Sequence, residues 1–338
     1  MDVYQKRRTN IYNFWHVHQI IHVVYSKQLA TLFLFSQIIP DYQLLNLKGE
    51  TNIMIEQEQV QFFQQNGYLK YGPVLNMDEV EELREGLDRV IQIERNGGDD
   101  SEPEFEFGHD LRNQNPSGRV ITQFVNMWKR EPAYERLLHH PTISGVLCTL
   151  LNTSQVRLWH DQIISKPPGD NDHFRFHQDF YFWPLDRPEI VTCWLALDDA
   201  TIDSGCMHVI PESHADPRFG PEGHKEELRA KEANEITESE RDKISKQPAS
   251  FGKPIQIKAG ECMFHHCLNF HATPANVTPN QRRAHVMIFM AKGTRVNLSQ
   301  SGNHVLVSGF EVNDGEELVG KGFPASDPQL WDNFYQSV

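Results

Sequence analysis

The triplet His177-Gln178-Asp179, with His271 far downstream and Arg282 eleven residues after that, constrains this 338-residue chain more than any other feature. On an extended strand successive side chains point to opposite faces, so residues i and i+2 share a face roughly 7 Å apart. His177 and Asp179 placed in this way grip one ion. A second imidazole from a distant strand, His271, completes a face of two nitrogens and one carboxylate oxygen. Three coordination positions stay open, the geometry preferred by non-haem iron(II) oxygenases. Arg282 adds a guanidinium able to hold a carboxylate through two parallel hydrogen bonds, which a lysine cannot reproduce. His-x-Asp alone is common in a chain with 17 histidines, so its surroundings decide how it reads.

Those surroundings are ordered. Residues 190–199 (IVTCWLALDD) read as a buried strand closing in a turn, and residues 200–214 give a turn at Ser204-Gly205, a short apolar strand and a stop at Pro211. The blocks KPPG (166–169), FHQDFYFWP (176–184), CWLALDDAT (193–201), SGCMHVIPESH (204–214) and GECMFHHCLNFHATPANVTPNQRRA (260–284) follow one another in the chain. In content and order they resemble the phytanoyl-CoA dioxygenase family, and with the preceding helical part the resemblance covers roughly residues 55–295.

The resemblance implies a double-stranded β-helix that uses Fe(II), 2-oxoglutarate as co-substrate and O2. It implies His177, Asp179 and His271 as metal ligands and, with Arg282, as the catalytic set. The family pattern runs His, a small hydroxyl residue two positions on, Asn at five and Arg at eleven, which here gives His271, Thr273, Asn276 and Arg282. Arg282 is thereby the anchor for the far carboxylate of 2-oxoglutarate, and Thr273, where the family more often has Ser, donates its hydroxyl to the same group. Adjacent strand residues face opposite ways, so Arg283 goes to solvent or a surface ion pair. Lys166 resembles a position near the co-substrate or its entrance, with an ordinary surface lysine as the alternative. Trp194 packs beside the metal pocket or simply in the core. Gln162, Phe176, Tyr181 and Trp183 are candidates for the substrate cavity, with core packing as the other role for the aromatics. Related halogenating enzymes resemble this pattern with a small residue at the position of Asp179, so the carboxylate favours oxygenation.

A formal net charge of −14, from 32 Lys and Arg against 46 Asp and Glu, argues against a general nucleic-acid binder or an anionic-membrane binder and for a small-molecule substrate. The cysteines, Cys148, Cys193, Cys206, Cys262 and Cys267, are odd in number and lie mostly in apolar runs, which reads as buried free thiols and a reducing cytoplasm. Cys262, His265, His266 and Cys267 match no common structural zinc spacing and are expected as core residues.

Residues 1–53 stand apart, with more Lys and Arg than Asp and Glu and an apolar stretch broken by His and Lys that suits neither a membrane span nor a signal peptide. They are expected to be a poorly structured extension, with Met54 as a candidate start and residues 54–338 as a single oxygenase domain. Helical periodicity marks 56–65, ended by Gly67, and 77–94, where Val80, Leu83, Leu87, Val90 and Ile91 recur at helical spacing; shorter helices are expected at 132–139 and 142–151. Residues 97–118 read as loop, 68–75 as a short strand, and eight strand-like runs follow from 155 to 291, one of them at 172–180. Helices first and strands after predict a mainly β jelly roll, cupin-like in outline, with supporting amino-terminal helices. The charged stretch near 220–250 is expected as a solvated helix or loop, or as a lid over the site.

The expected reaction is hydroxylation of a small organic molecule, with release of succinate and CO2. Two other classes stay open: a cupin-like metal-dependent isomerase using Zn or Mn, which has no need of the Thr273/Arg282 anchor, and a non-catalytic binding protein, which would have lost a ligand. Substrate and oligomeric state are not specified by these residues.

Overall fold

Residues 55–95, 121–169, 172–233, 238–301, 304, 306 and 312–337 are described in a computed structural model of the chain. The expected extension at 1–53 and the loop at 97–118 lie outside them.

The first helix, α1 (Gln57–Asn66), starts in a reciprocal capping box between Glu56 and Gln59 and stops at Gly67, whose φ of +77° is the left-handed conformation that only glycine adopts without strain. Strand β1 (Tyr68–Tyr71) follows, then α2 (Met77–Arg95). Asn76 caps α2 by accepting the amide protons of Asp78 and Glu79 at 2.9 and 3.0 Å, and Glu79 accepts that of Asn76 at 2.9 Å. The periodic face of α2 (Val80, Leu83, Leu87 and Val90) is buried as its spacing predicts. Strand β2 (Thr122–Val125) has no forecast in the sequence pattern; α3 (Pro132–Leu137) and α4 (Pro141–Leu150) each begin on proline, whose missing N–H costs nothing there.

The strands are β3 (Val156–Lys166), β4 (Phe174–His177), β5 (Ile190–Ala196), β6 (Met207–Val209), β7 (Lys253–Ile255), β8 (Cys262–His266), β9 (His271–Thr273) and β10 (Arg282–Ala291), with helices α5 (Pro221–Glu232) and α6 (Glu240–Ser245) between β6 and β7. They form two antiparallel sheets, one in the order β1-β8-β5-β10-β3-β2 and one in the order β4-β9-β6-β7. This is the expected jelly roll.

Period-two alternation sorts the larger sheet. Val191, Cys193 and Leu195 of β5, Cys262 and Phe264 of β8, and Met287 and Phe289 of β10 pack against the helices. Trp194, Met263, Val286 and Ile288 turn inward to meet Met207, Val209 and Ile255 of the smaller sheet. A bulge in β3 places Trp159 between residues paired to Ile288 and Phe289, so His160, Gln162 and Ile164 face inward although Leu158 packs with the helices. Cys193, Cys206, Cys262 and Cys267 are buried free thiols, and Cys148 is half-buried.

One expected strand is shorter than its hydrophobic pattern. Instead of running to residue 180, β4 ends at His177, and Asp179 opens a 3-10 turn (Asp179–Phe182) in which the Phe180 amide bonds to the Cys267 carbonyl at 3.2 Å. The Asp161 carboxylate, fully buried, accepts from the Trp128 amide at 3.1 Å and lies 2.7 Å from the His285 ring nitrogen, tying β3, β10 and the segment after β2. Replacing His285 by Phe leaves that carboxylate half-partnered in a dry site. The expected outcome is a loss of about 3 kcal/mol of unfolding free energy, read as a lower denaturant midpoint at unchanged slope.

Candidate metal centre

Strands β4 and β9 pair with His177 directly opposite His271, which brings the two rings to 4.2 Å between centroids although the residues are remote in sequence. Each ring is oriented in the same way: Nδ1 of His177 donates to the Arg175 carbonyl at 2.7 Å, and Nδ1 of His271 to the Asn269 carbonyl at 3.0 Å. With the proton held on Nδ1, both Nε2 lone pairs turn toward one point. Gln178 keeps an extended backbone (φ −119°, ψ 129°), so Asp179 returns to the side of His177 even though it has left the strand. Its Oδ1 lies 3.4 Å from Nε2 of His177 and 3.6 Å from Nε2 of His271, and the three ligand atoms all fall within 4.8 Å of one another. Ligand bonds of 2.0–2.2 Å set neighbouring donor atoms about 3 Å apart, so small rotations close this set on a first-row metal ion.

The charges suit that purpose. Burial alone would raise Asp179, but His271, His177 and His265 around it hold its carboxyl well below the usual carboxylate range. Burial pushes His271 down to about 3 against the pull of Asp179, which leaves a neutral imidazole at pH 7. Burial also opposes protonation of His177, but the adjacent Asp179 outweighs it and raises that ring.

His265 is a residue the sequence reading assigned only to the core. It is cross-strand partner of Thr192, on β8 and β5, and both reach the second oxygen of Asp179: Thr192 Oγ1 at 3.4 Å and His265 Nε2 at 3.4 Å. His265 is buried, and neither of its ring nitrogens makes a well-formed hydrogen bond. The signal that finds it is strand parity, since Met263 and His265 share the inward face of β8 while Cys262 and Phe264 face the helices. The same parity places Cys262 and His265 on opposite faces of β8.

Arg282 opens β10 opposite Lys166 and is buried with it. Two of its nitrogens donate to backbone carbonyls, Nε to Ser204 at 3.3 Å and Nη2 to Gly205 at 3.1 Å, and the guanidinium lies 5.3 Å from the centre of the Trp194 ring. Gly205 is required at that turn, because φ is +75° and a Cβ would stand 2.3 Å from the Pro274 carbonyl oxygen. Nη1 of Arg282 and Oγ1 of Thr273 are buried without any partner, and Arg282 makes no ion pair among the described residues. Burial pulls Arg282 down to about 10, which still leaves it charged at neutral pH. Lys166 is no surface lysine: it is fully buried and donates to the carbonyls of Thr273 at 3.1 Å and of Pro274. Arg283 faces the other way and forms a two-bond pair with Asp198 at 2.8 and 2.9 Å, as strand parity predicts. Asn276 donates to the carbonyls of Lys166, Pro167 and Asn280 and so staples the loop before β10.

A cavity of about 520 Å³ has His177, Asp179, His271, Thr273 and Trp194 in its wall; Arg282 and Lys166 lie behind that wall and are not among its lining residues. Gln162 and Trp183 line it as expected, whereas Phe176 and Tyr181 do not. A shift of register between Phe174 and His177 leaves Phe174, Arg175 and His177 lining the cavity, while Phe176 packs with Phe219 and Phe270 behind the smaller sheet. Tyr181 lies against Arg241, whose guanidinium is 3.9 Å from the ring centre. Arg241 also bonds to the Gln178 side chain and pairs with Glu227 at 3.1 Å. The charged insert is therefore two helices pinned behind the turn that carries Asp179, and none of its described residues lines the cavity.

A jelly roll with two imidazoles and a carboxylate converging beside a buried, unpaired arginine is the architecture of a metal-dependent oxygenase. The chain belongs to the phytanoyl-CoA dioxygenase family, whose pattern, Phytanoyl-CoA dioxygenase (PhyH), matches residues 63–284. It is 23% identical to the peroxisomal phytanoyl-CoA dioxygenase of Rattus norvegicus over 241 residues, covering 69% of this chain and 68% of that one. It is 24% identical to phytanoyl-CoA dioxygenase 1 of Oryza sativa over 254 residues, with 67% and 86% covered. Among solved structures, the non-heme alpha ketoglutarate dependent carbocyclase SnoK from nogalamycin biosynthesis superposes with a TM-score of 0.62 at 24% identity, covering 82% of this chain and 100% of that one. EctD from S. alaskensis, solved with 2-oxoglutarate and 5-hydroxyectoine, gives 0.56 at 18% identity, with 80% and 88% covered. These likenesses show a shared fold. Among the described residues no helix is long and apolar enough to cross a membrane.

His265→Phe retains a ring of similar shape and removes the nitrogen facing Asp179. The expected result is a loss of iron affinity of about 10-fold or more, measured by competition with a chromogenic chelator.

Proposed function

We propose that this protein is an Fe(II)- and 2-oxoglutarate-dependent oxygenase that hydroxylates a small organic molecule. The observation that carries the reading is the pair of orphaned donors, Arg282 Nη1 and Thr273 Oγ1, buried beside the cavity that holds the His177/Asp179/His271 set. A buried guanidinium with no anionic partner costs several kcal/mol unless a ligand supplies one. A dicarboxylate lying between that arginine and the metal set satisfies both ends at once.

Each residue then has a physical task. His177, Asp179 and His271 would hold iron through three adjacent positions and leave the others free. When bound, iron supplies the activation of oxygen, coupled to oxidative decarboxylation of the keto acid to succinate and CO2. Arg282 and Thr273 bind and orient the far carboxylate, and Trp194, buried over the guanidinium, excludes water that would weaken the pairing. Lys166 adds a second buried cation next to the Arg282 position and fixes the backbone at Thr273 and Pro274, which points the Thr273 hydroxyl. Asp198, taken up by Arg283 and by Arg84 at 3.0 Å, is kept from neutralising Arg282.

A cupin-like isomerase has no use for the Arg282/Thr273 donors, so they favour the oxygenase. Anaerobic titration of the Fe(II)-loaded protein with 2-oxoglutarate is expected to give a saturable visible charge-transfer band. Arg282→Ala should raise the concentration for half-saturation by about 10- to 100-fold while iron binding persists, and Asp179→Ala should abolish the band. A normal half-saturation in Arg282→Ala refutes the anchor.

A further inference from the structure

The cavity wall away from the metal set is almost free of charge. Val125, Ile164, Phe182, Trp183, Val286 and Ile288 supply most of it. The imidazoles of His160 and His304 also line it, and burial pulls His160 down to about 4 and lowers His304, so both are neutral at pH 7. Apart from Asp179, which belongs to the metal set, the one permanently charged side chain among the described lining residues is Arg175.

Arg175 is exposed at the mouth, and its guanidinium has no carboxylate or carbonyl partner among the described residues. It precedes His177 by two positions on β4, and both side chains line the cavity. The pairing of β4 with β9 shifts register between Phe174 and His177, so Arg175 shares the cavity with His177 and lies at most roughly 7 Å from it along the backbone. Phe182 stands at the same rim, 60% exposed, with its ring 6.1 Å from that of His177. An uncovered aromatic ring and an unpaired guanidinium at the entrance of an apolar chamber together describe a ligand with an apolar body and one anionic head.

We propose that the substrate is a free organic acid, with an aromatic or aliphatic body in the chamber and its carboxylate held by Arg175 at the mouth. The proposal rests on the oxygenase reading for the chemistry but not for the binding. It assigns Arg175 as the specificity-determining residue and places the oxidised carbon a few bonds from the carboxylate, within reach of the metal set.

The test separates binding from turnover. Trp183 and Trp194 line the cavity, so tryptophan fluorescence reports occupancy without iron. Aryl- and alkyl-carboxylic acids of graded length, their methyl esters and the matching coenzyme A thioesters are titrated into the full-length protein with 2-oxoglutarate present to occupy the Arg282 site. At least one acid is expected to bind 10-fold or more tightly than its ester, and in Arg175→Gln that difference should vanish. Because Arg175 is exposed, this variant is expected to fold as the parent does, and its 2-oxoglutarate band in the Fe(II) form should be unchanged. Equal binding of acid and ester, tighter binding of a thioester, a preference that survives in Arg175→Gln, or no binding by any acid overturns the proposal. Absence of the charge-transfer band with acid binding intact overturns the oxygenase reading alone.

Discussion

The register contact of His177 with His271 across β4 and β9 is the interaction on which the rest of the centre depends. These strands have only four and three residues, too short for much ladder stability of their own, so their pairing is held from both sides. Inward, the smaller sheet packs Met207 and Val209 against Trp194 and Val286 of the larger one. Outward, Phe176, Phe270 and Phe219 form a separate apolar cluster that clamps the backs of the same two strands. The imidazoles are thus carried by a thin layer compressed between two hydrophobic clusters. This rigidity lets the carboxylate leave the strand: Asp179 sits in a turn, and its position is restored by the extended Gln178 and by the contacts of Thr192 and His265 from the facing sheet.

The Arg282 end of the site is built on a different economy. A buried arginine is tolerated where its donors reach carbonyls, and Ser204 and Gly205 provide these at a turn that a larger residue could not occupy. One donor is left over. Asp198 is near in the fold, but the two-bond contact with Arg283 and the contact with Arg84 hold it on the helix side of the sheet. Adjacent arginines on one strand thus divide the labour: Arg283 keeps the carboxylate engaged outside, and Arg282 stays unpaired inside.

Much of this was legible in the sequence because it follows from local rules. The i, i+2 spacing of His177 and Asp179, the opposite facing of Arg282 and Arg283, the helical face of α2 and the cap at Gly67 all depend on backbone geometry that one stretch of chain determines. Contacts set by partners were not legible. Strand β2 exists because its residues pair with Phe124 opposite Ile163 and Val125 opposite Gln162, and nothing in its four residues announces this. His265 could not be tied to Asp179 before the register of β8 against β5 was known. Phe176 and Tyr181 look like cavity residues because they stand close in sequence to His177 and Asp179, yet the register shift in β4 and the Arg241 contact send them elsewhere. The end of β4 was missed for a similar reason, since the bond from Phe180 to Cys267 that bends the chain comes from a distant segment.

The bulge at Trp159 acts on β3 as a change of reading frame. Before it, even-numbered residues such as Val156 and Leu158 point to the helices; after it, His160, Gln162 and Ile164 point to the cavity. Length between the bulge and the end of this strand is consequently a specificity parameter in its own right. Deleting one residue there would exchange the wall of the chamber for its exterior without changing the chemistry of any side chain, turning Asp161 and Ile163 inward in place of the polar groups the cavity now presents.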